Sequence, residues 1–166
     1  MYSKDALVIV DVQKGFINEH TKDIPNKILE HLKTYYYEYI VGTRYINDKD
    51  TPCYAMGGFF GCMQGTAETE IPEELARHVE HVFDKRQFSC WTQDFRTYVN
   101  SRSITKLYFC GINTDCCVML SAIEAFERKM EFEVLTPLCG CMFGEEGHKA
   151  GITAMQNCLN PKRIIL

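Results

Sequence analysis

No stretch of the chain approaches the roughly 20 consecutive apolar residues that a membrane-spanning helix requires, so a membrane protein is not expected. A basic block is also missing: 18 Lys and Arg are outnumbered by 22 Asp and Glu, the net charge is −4, and both signs are scattered. A nucleic-acid binder needs a phosphate-neutralising stripe, so neither nucleic acid nor a membrane is an expected partner. Histidine is scarce, and His20, His31, His78, His81 and His148 show no metal-ligand spacing. No Gly-Lys-Ser/Thr follows the glycines at residues 57–65, which excludes a P-loop. Internal repeats and low-complexity linkers are absent. The first apolar run begins by Ala6, which leaves no room for the regions of a signal peptide, and the expected location is cytoplasmic.

Cysteine, by contrast, is abundant. Nine cysteines in a small secreted chain would suggest a disulfide framework, but the odd count, the missing leader and the apolar neighbours of Cys110 point to reduced thiols. Cys116, Cys117, Cys139 and Cys141 lack the two-to-four-residue spacing of zinc ligands, so no metal site is expected from them. The 166 residues, 46% of them apolar, suit a single domain spanning residues 1–166.

Strand and helix patterns alternate along the chain. Ala6–Val10 (ALVIV) is a continuous apolar run of the kind buried in a parallel sheet, followed by a polar loop over 13–23. Pro25 opens a helix whose inner face is Ile28, Leu29 and Leu32, and a strand follows at about 39–46. Residues 47–65, rich in Gly and aromatics, read as a long loop whose Gly57, Gly58, Phe59 and Phe60 line a pocket. A short helix begins at Pro72, a third strand covers 81–83 and ends at Asp84-Lys85, and a helix covers 92–101. A strand at 104–112 leads into a helix with Val118, Ala122, Ala125 and Phe126 at helical spacing, then a strand at 133–136, a helix at 145–158 and a last strand at 163–166. The expected fold is a three-layer α/β/α sandwich around a mostly parallel six-stranded sheet. The tyrosine cluster at 35–39 reads either as an interface patch or as an internal helix face.

In such folds ligands collect at the carboxyl ends of the strands, where this chain places Asp11, Lys85 and the pair Cys116-Cys117. The cysteines fall at a helix N-terminus, whose free N–H groups and dipole are expected to lower a thiol's pKa and to gather donors for an oxyanion. A lysine would favour thiolate, and an aspartate would take the thiol proton and return it to a leaving group. Each residue also has a plainer reading: a turn cap for Asp11, a solvated lysine for Lys85, a core cysteine for Cys117. Cys116 is expected to pack structurally behind the nucleophile, and Phe16 and Phe60 are candidate walls of a substrate pocket.

The segments Leu7-Val8-Ile9-Val10-Asp11-Val12-Gln13-x-x-Phe16, Val82-Phe83-Asp84-Lys85 and Gly111-x-x-Thr114-Asp115-x-Cys117-Val118 resemble the motifs of the isochorismatase-like cysteine hydrolase family, which includes nicotinamidases. That resemblance selects Cys117 over Cys116. It implies Asp11 as the base, Cys117 as the nucleophile, Lys85 as the holder of the charge network, and main-chain N–H groups of Asn113 and Cys117 as the oxyanion hole, with a cis peptide before Asn113. It also implies a homo-oligomer and a small-molecule substrate, with no organic cofactor. Nicotinamidases of the family carry a metal cluster of Asp and His shortly after the second strand, whereas residues 43–50 here read TRYINDKD without histidine. The implied activity is therefore metal-independent cleavage of an amide or carbamoyl-type C–N bond. The rival expectation is a member of the fold that binds a small molecule or a protein without turnover.

Overall fold

The first strand sets the frame. Ala6 to Val10 are all fully buried, and a run that is apolar on both faces is stable only in the middle of a sheet covered on each side. In the computed structural model, which describes residues 4–166, β1 (Asp5–Val10) lies between β2 (Tyr39–Tyr45) and β4 (Lys106–Ile112). Adding β3 (His81–Lys85), β5 (Glu131–Gly140) and β6 (Ile164–Ile165) gives a six-stranded sheet in the order β3-β2-β1-β4-β5-β6, with every pairing parallel. Parallel neighbours need crossovers, and these are right-handed in such sheets. Strand order grows one way through β2 and β3 and the other way through β4, β5 and β6. Helices α1 (Ile24–Leu32) and α3 (Glu73–Ala76) therefore cover one face, and α4 (Gln93–Arg102), α5 (Met119–Glu127) and α6 (Glu145–Cys158) the other.

The reversal of strand order falls between β1 and β4, and this opens a crevice at their carboxyl ends. Gly111 makes the junction possible. Its φ is +123°, and a Cβ there would sit 2.1 Å from the Val10 carbonyl oxygen, so no other residue fits without moving one of the two central strands.

Several elements differ from the sequence expectation. The sheet is wholly parallel. The 47–65 segment contains a short helix, α2 (Pro52–Ala55), and the loop after β1 contains a 3-10 turn at Lys14–Phe16. Strand β5 is longer than 133–136 because it runs on through Pro137, and its pairing with β4 jumps from Phe109↔Val134 to Gly111↔Cys139. Proline cannot donate to a ladder, and the bulge absorbs it. On α5, Val118 just before it, Ala122 and Ala125 are buried as their spacing predicts, but Phe126 is 51% exposed. Among the described residues no helix is long and apolar enough to cross a membrane.

All nine cysteines are free thiols, six of them buried. Burial pushes Cys90 and Cys139 from the ordinary 9.0 up to about 12. A group whose pKa is raised on folding supports the fold while protonated and withdraws that support as pH climbs past its unfolded value. The urea midpoint is therefore expected to fall between pH 9 and pH 12, and to fall less steeply in Cys139→Ala than in the parent. Equal slopes in the two proteins would contradict this.

Candidate active site

Asp11 is the first residue past β1, fully buried, with its backbone in the left-handed region at φ 50°. Thr43 on the neighbouring β2 holds it twice: Thr43 Oγ1 accepts from the Asp11 N–H at 3.2 Å and donates to Asp11 Oδ1 at 2.7 Å. Lys85 ends β3, two strands away. Its side chain has no solvent exposure, and its ammonium reaches Asp11 Oδ2 at 2.7 Å, the Gln87 and Phe88 carbonyls at 2.9 and 2.8 Å, and Cys117 Sγ at 3.7 Å. An ammonium has three protons. Two go to the carbonyls, which leaves the third between the carboxylate and the sulfur. The three residues are thus brought together, and Cys116 makes no such contact with Lys85.

Burial alone would push the Lys85 ammonium's pKa down, but the negative charge of Asp11 and the neighbouring Cys117 outweigh it, and the pKa is raised. Lys85 stays charged. The thiol behaves otherwise than the helix-terminus argument expects. Its hydrogen bond with Cys116 first, and burial second, hold Cys117 well above 9.0 against the opposing pull of Lys85. The same contact holds Cys116 below its ordinary value. The vicinal thiol and desolvation thus win over Lys85, and Cys117 rests as a thiol. Cys116 is half-buried and borders the cavity rather than packing behind its neighbour.

Cys117 rides on a π-helical turn, Thr114–Val118, that feeds directly into α5, and the Ile112–Asn113 peptide before it is cis. Cys116 N–H and Val118 N–H both donate to the Asn113 carbonyl, at 3.2 and 3.1 Å. Helix α6 presses on the turn so closely that a Cβ at Gly151 would lie 2.7 Å from the Asp115 backbone. Three supports brace this turn and the loops beside it; of their residues Gln13 and Asn113 fall in the sequence motifs, though not for these roles, whereas Ser121 and Asn18 carry no motif signal and were missed in the sequence. Ser121 Oγ donates to the Cys117 carbonyl at 2.7 Å and accepts from Cys90 N–H at 3.0 Å, tying the nucleophile to the segment that cradles Lys85. Gln13 bridges loops, accepting from Tyr45 N–H at 2.6 Å and donating to the Tyr45 carbonyl at 3.0 Å. Asn113 Oδ1 accepts from Met142 N–H at 2.8 Å, and Asn18 donates to the Met142 carbonyl at 2.8 Å.

Above Cys117 lies a cavity of about 220 Å³ walled by Phe16, Tyr45, Phe59, Phe88, Met142 and Phe143. Phe16 and Phe59 stack with centroids 5.6 Å apart. Phe60 is a correction: it is 63% exposed, rests its ring against Tyr54 and does not border the cavity, because the loop after α2 turns Phe59 inward, against Phe16, in its place. A larger groove of about 450 Å³, lined by Tyr35, Tyr36 and Tyr108 among others, lies elsewhere and shares no residue with the Asp11, Lys85 and Cys117 set.

The residues after β2 do not fit a metal. Asn47 spends its amide protons on the Phe59 and Gly61 carbonyls at 2.9 and 3.0 Å, its Oδ1 takes the Thr51 hydroxyl, and Asp48 pairs with Arg86. Among the described residues no three His, Cys, Asp or Glu side chains gather in a ligating cluster.

A carboxylate, an ammonium and a thiol thus meet at the switch point of a parallel α/β sheet. The isochorismatase domain profile matches residues 5–162, and the chain belongs to that family. Similar solved structures include an isochorismatase-like hydrolase from Alkaliphilus metalliredigens, 19% identical with a TM-score of 0.82, covering 98% of this chain and 94% of that one. The nicotinamidase of Bacillus subtilis is 20% identical with a TM-score of 0.79, at 98% and 99% coverage. The pyrazinamidase of Pyrococcus horikoshii, solved in complex with zinc, is 21% identical with a TM-score of 0.74, at 98% and 97% coverage. At these identities the likeness concerns the fold. No curated protein matches the chain in sequence.

Removing one partner of a buried ion pair leaves the other charge unpaired, at a cost of about 3–5 kcal/mol. Lys85→Met is expected to lose stability in that range by urea denaturation. The double variant Asp11→Asn/Lys85→Met should recover much of it, and an additive double variant would mean that the two groups are not coupled.

Proposed function

We propose that the chain is a metal-independent cysteine hydrolase that cleaves an amide or carbamoyl-type C–N bond of a small molecule through a covalent Cys117 intermediate. The observation that carries this reading is the position of one buried ammonium, 2.7 Å from a carboxylate and 3.7 Å from a thiol, under a small apolar cavity.

Because the Cys117 thiol is held protonated, attack requires a base at hand. Asp11 accepts the thiol proton as sulfur bonds to the carbonyl carbon, and the displaced electron pair settles on the carbonyl oxygen. Main-chain N–H groups of Asn113 and Cys117 receive that oxyanion, a contribution worth about 2.7–4 kcal/mol for a single well-placed donor. Collapse of the tetrahedral species expels the nitrogen, which takes its proton from Asp11 and leaves as ammonia or an amine. Water then adds to the thioester with Asp11 again as base, releasing the acid and restoring the thiol. Lys85 keeps its charge throughout and steadies whichever neighbour is anionic. The side chains after β2 are engaged with one another, so no step is assigned to a metal.

The test is a panel of small amides, ureas and carbamates with ammonia detection. Turnover of at least one compound is expected, falling about 10²–10⁴-fold in Asp11→Asn and to background in Cys117→Ala. A Cys117 acyl adduct should be visible by intact-protein mass spectrometry after rapid quenching. Ligand binding with neither ammonia nor adduct would instead make the chain a binding module of the fold.

A further inference from the structure

The cavity above Cys117 is bordered by two phenylalanines that also face water. Phe88, 42% exposed, follows β3, and Phe143, 77% exposed, follows β5, so the rings reach the mouth from opposite sides of the sheet's centre. Single exposed rings are common on protein surfaces, but these two are continuous with an apolar cavity, and that continuity marks a ligand groove. Neither ring is carried by a loose segment. The Phe88 carbonyl accepts from the buried Lys85 ammonium at 2.8 Å. Beside Phe143, Met142 is gripped through its N–H by Asn113 and through its carbonyl by Asn18. The Phe143 N–H donates to Cys141 Sγ at 3.4 Å, and the Gly144 N–H donates to the Cys141 carbonyl at 2.9 Å. Gly144, at φ +94°, closes this turn ahead of α6 in a conformation that glycine takes freely. The fold thus holds an aromatic ring out in water at the cavity's edge.

Charge and size narrow what such a groove takes. Among the described residues bordering the cavity none is Lys, Arg or His, so a ligand's anionic end would find no counter-charge there. The one charged residue at the border, Asp115, would repel an anion further, and its carboxylate packs toward Gly147 on α6. The Tyr45 hydroxyl is buried beside Thr51 and Cys53, and Asn113 Oδ1 is taken by the Met142 N–H. An apolar group is what remains. A cavity of about 150 Å³ takes the six carbons of benzene, so the 220 Å³ here holds a carboxamide and about six further carbons. A longer tail would emerge against Phe88 and Phe143.

We propose that the site takes uncharged amides with an apolar acyl tail, the far end of which leaves the cavity between Phe88 and Phe143. The assignment rests on the hydrolase reading for the place of the carboxamide, and it is tested by binding alone. In the Cys117→Ala background, calorimetry below the solubility limits should show hexanamide binding roughly ten- to twentyfold tighter than butyramide, and decanamide tighter than hexanamide by a similar factor, since a fully buried methylene is worth about fourfold and a half-covered one about twofold. Adipamic acid and 6-aminohexanamide, which end the tail in a carboxylate or an ammonium, should bind at least about tenfold more weakly than hexanamide. Adding Phe143→Ser should cut the step from hexanamide to decanamide to within about threefold, because the half-cover on those methylenes is lost, and leave the step from butyramide to hexanamide in place. Protection of native Cys117 from iodoacetamide by the same compounds should rank them identically, which keeps the test open if the alanine variant folds poorly. A flat series, a charged tail that binds as tightly as hexanamide, or no binding at all would each overturn the assignment. A decanamide step that survives Phe143→Ser would overturn it too, and a changed sedimentation coefficient in that variant would then give the ring to a contact between copies of the chain. The expected affinity pattern with no ammonia released by the native protein would overturn only the hydrolase reading.

Discussion

The Asp11–Lys85 ion pair is the constraint around which the rest of the site is arranged. Neither charge touches solvent, and two unsolvated charges persist only where geometry and further hydrogen bonds offset the desolvation. The fold meets that requirement with groups from three places: Thr43 on β2 for the carboxylate, the carbonyls of Gln87 and Phe88 after β3 for the ammonium, and Cys117 after β4 for the remaining proton direction. These groups lie on or just beyond β2, β3 and β4, so the pair is satisfied only when β1, β2, β3 and β4 are all in register. The pair therefore also reports on correct assembly of the sheet's central strands.

The vicinal thiols add a second constraint. A cysteine at the head of a helix is usually argued toward thiolate, yet here the first turn is π-wound, the sulfur is buried, and its neighbour's sulfur contacts it. These effects act in the direction opposite to Lys85 and prevail. A thiol protonated at rest reacts slowly with stray electrophiles, which is useful in a chain with nine cysteines. In the proposed mechanism the cost is that activation needs a base at hand, which is why Lys85 is assigned the charge and Asp11 the proton.

Much of this was legible in the sequence, for identifiable reasons. ALVIV can be buried only in a central parallel strand, and the alternation of strand and helix placed Asp11, Lys85 and Cys117 at ends that a parallel sheet brings to one edge. What escaped was whatever depends on pairing between distant segments. Nothing local distinguishes Ser121 or Thr43 from any buried hydroxyl, and their roles arise from chains 31 and 32 residues away in sequence. Phe59 and Phe60 are equivalent as letters, and only the path of the loop after α2 decides which one faces inward. The extension of β5 through Pro137 contradicts the local rule because the bulge against β4 accommodates a residue that a regular ladder would reject.

Tyr45 stands beside the ion pair without adding charge to it. Register with Lys85 guarantees that the side chain at this place stands beside the ion pair. A carboxylate there would add negative charge next to Asp11 and would need a cation to neutralise it. A phenol adds none and takes the ammonium on its ring face instead. Asn47, two residues on, is turned away to brace the Phe59 and Gly61 carbonyls, and so it orients the aromatic wall rather than a ligand. The two residues thus brace the ground beyond β2 through one ring face turned to the ammonium and two loop carbonyls held by an amide.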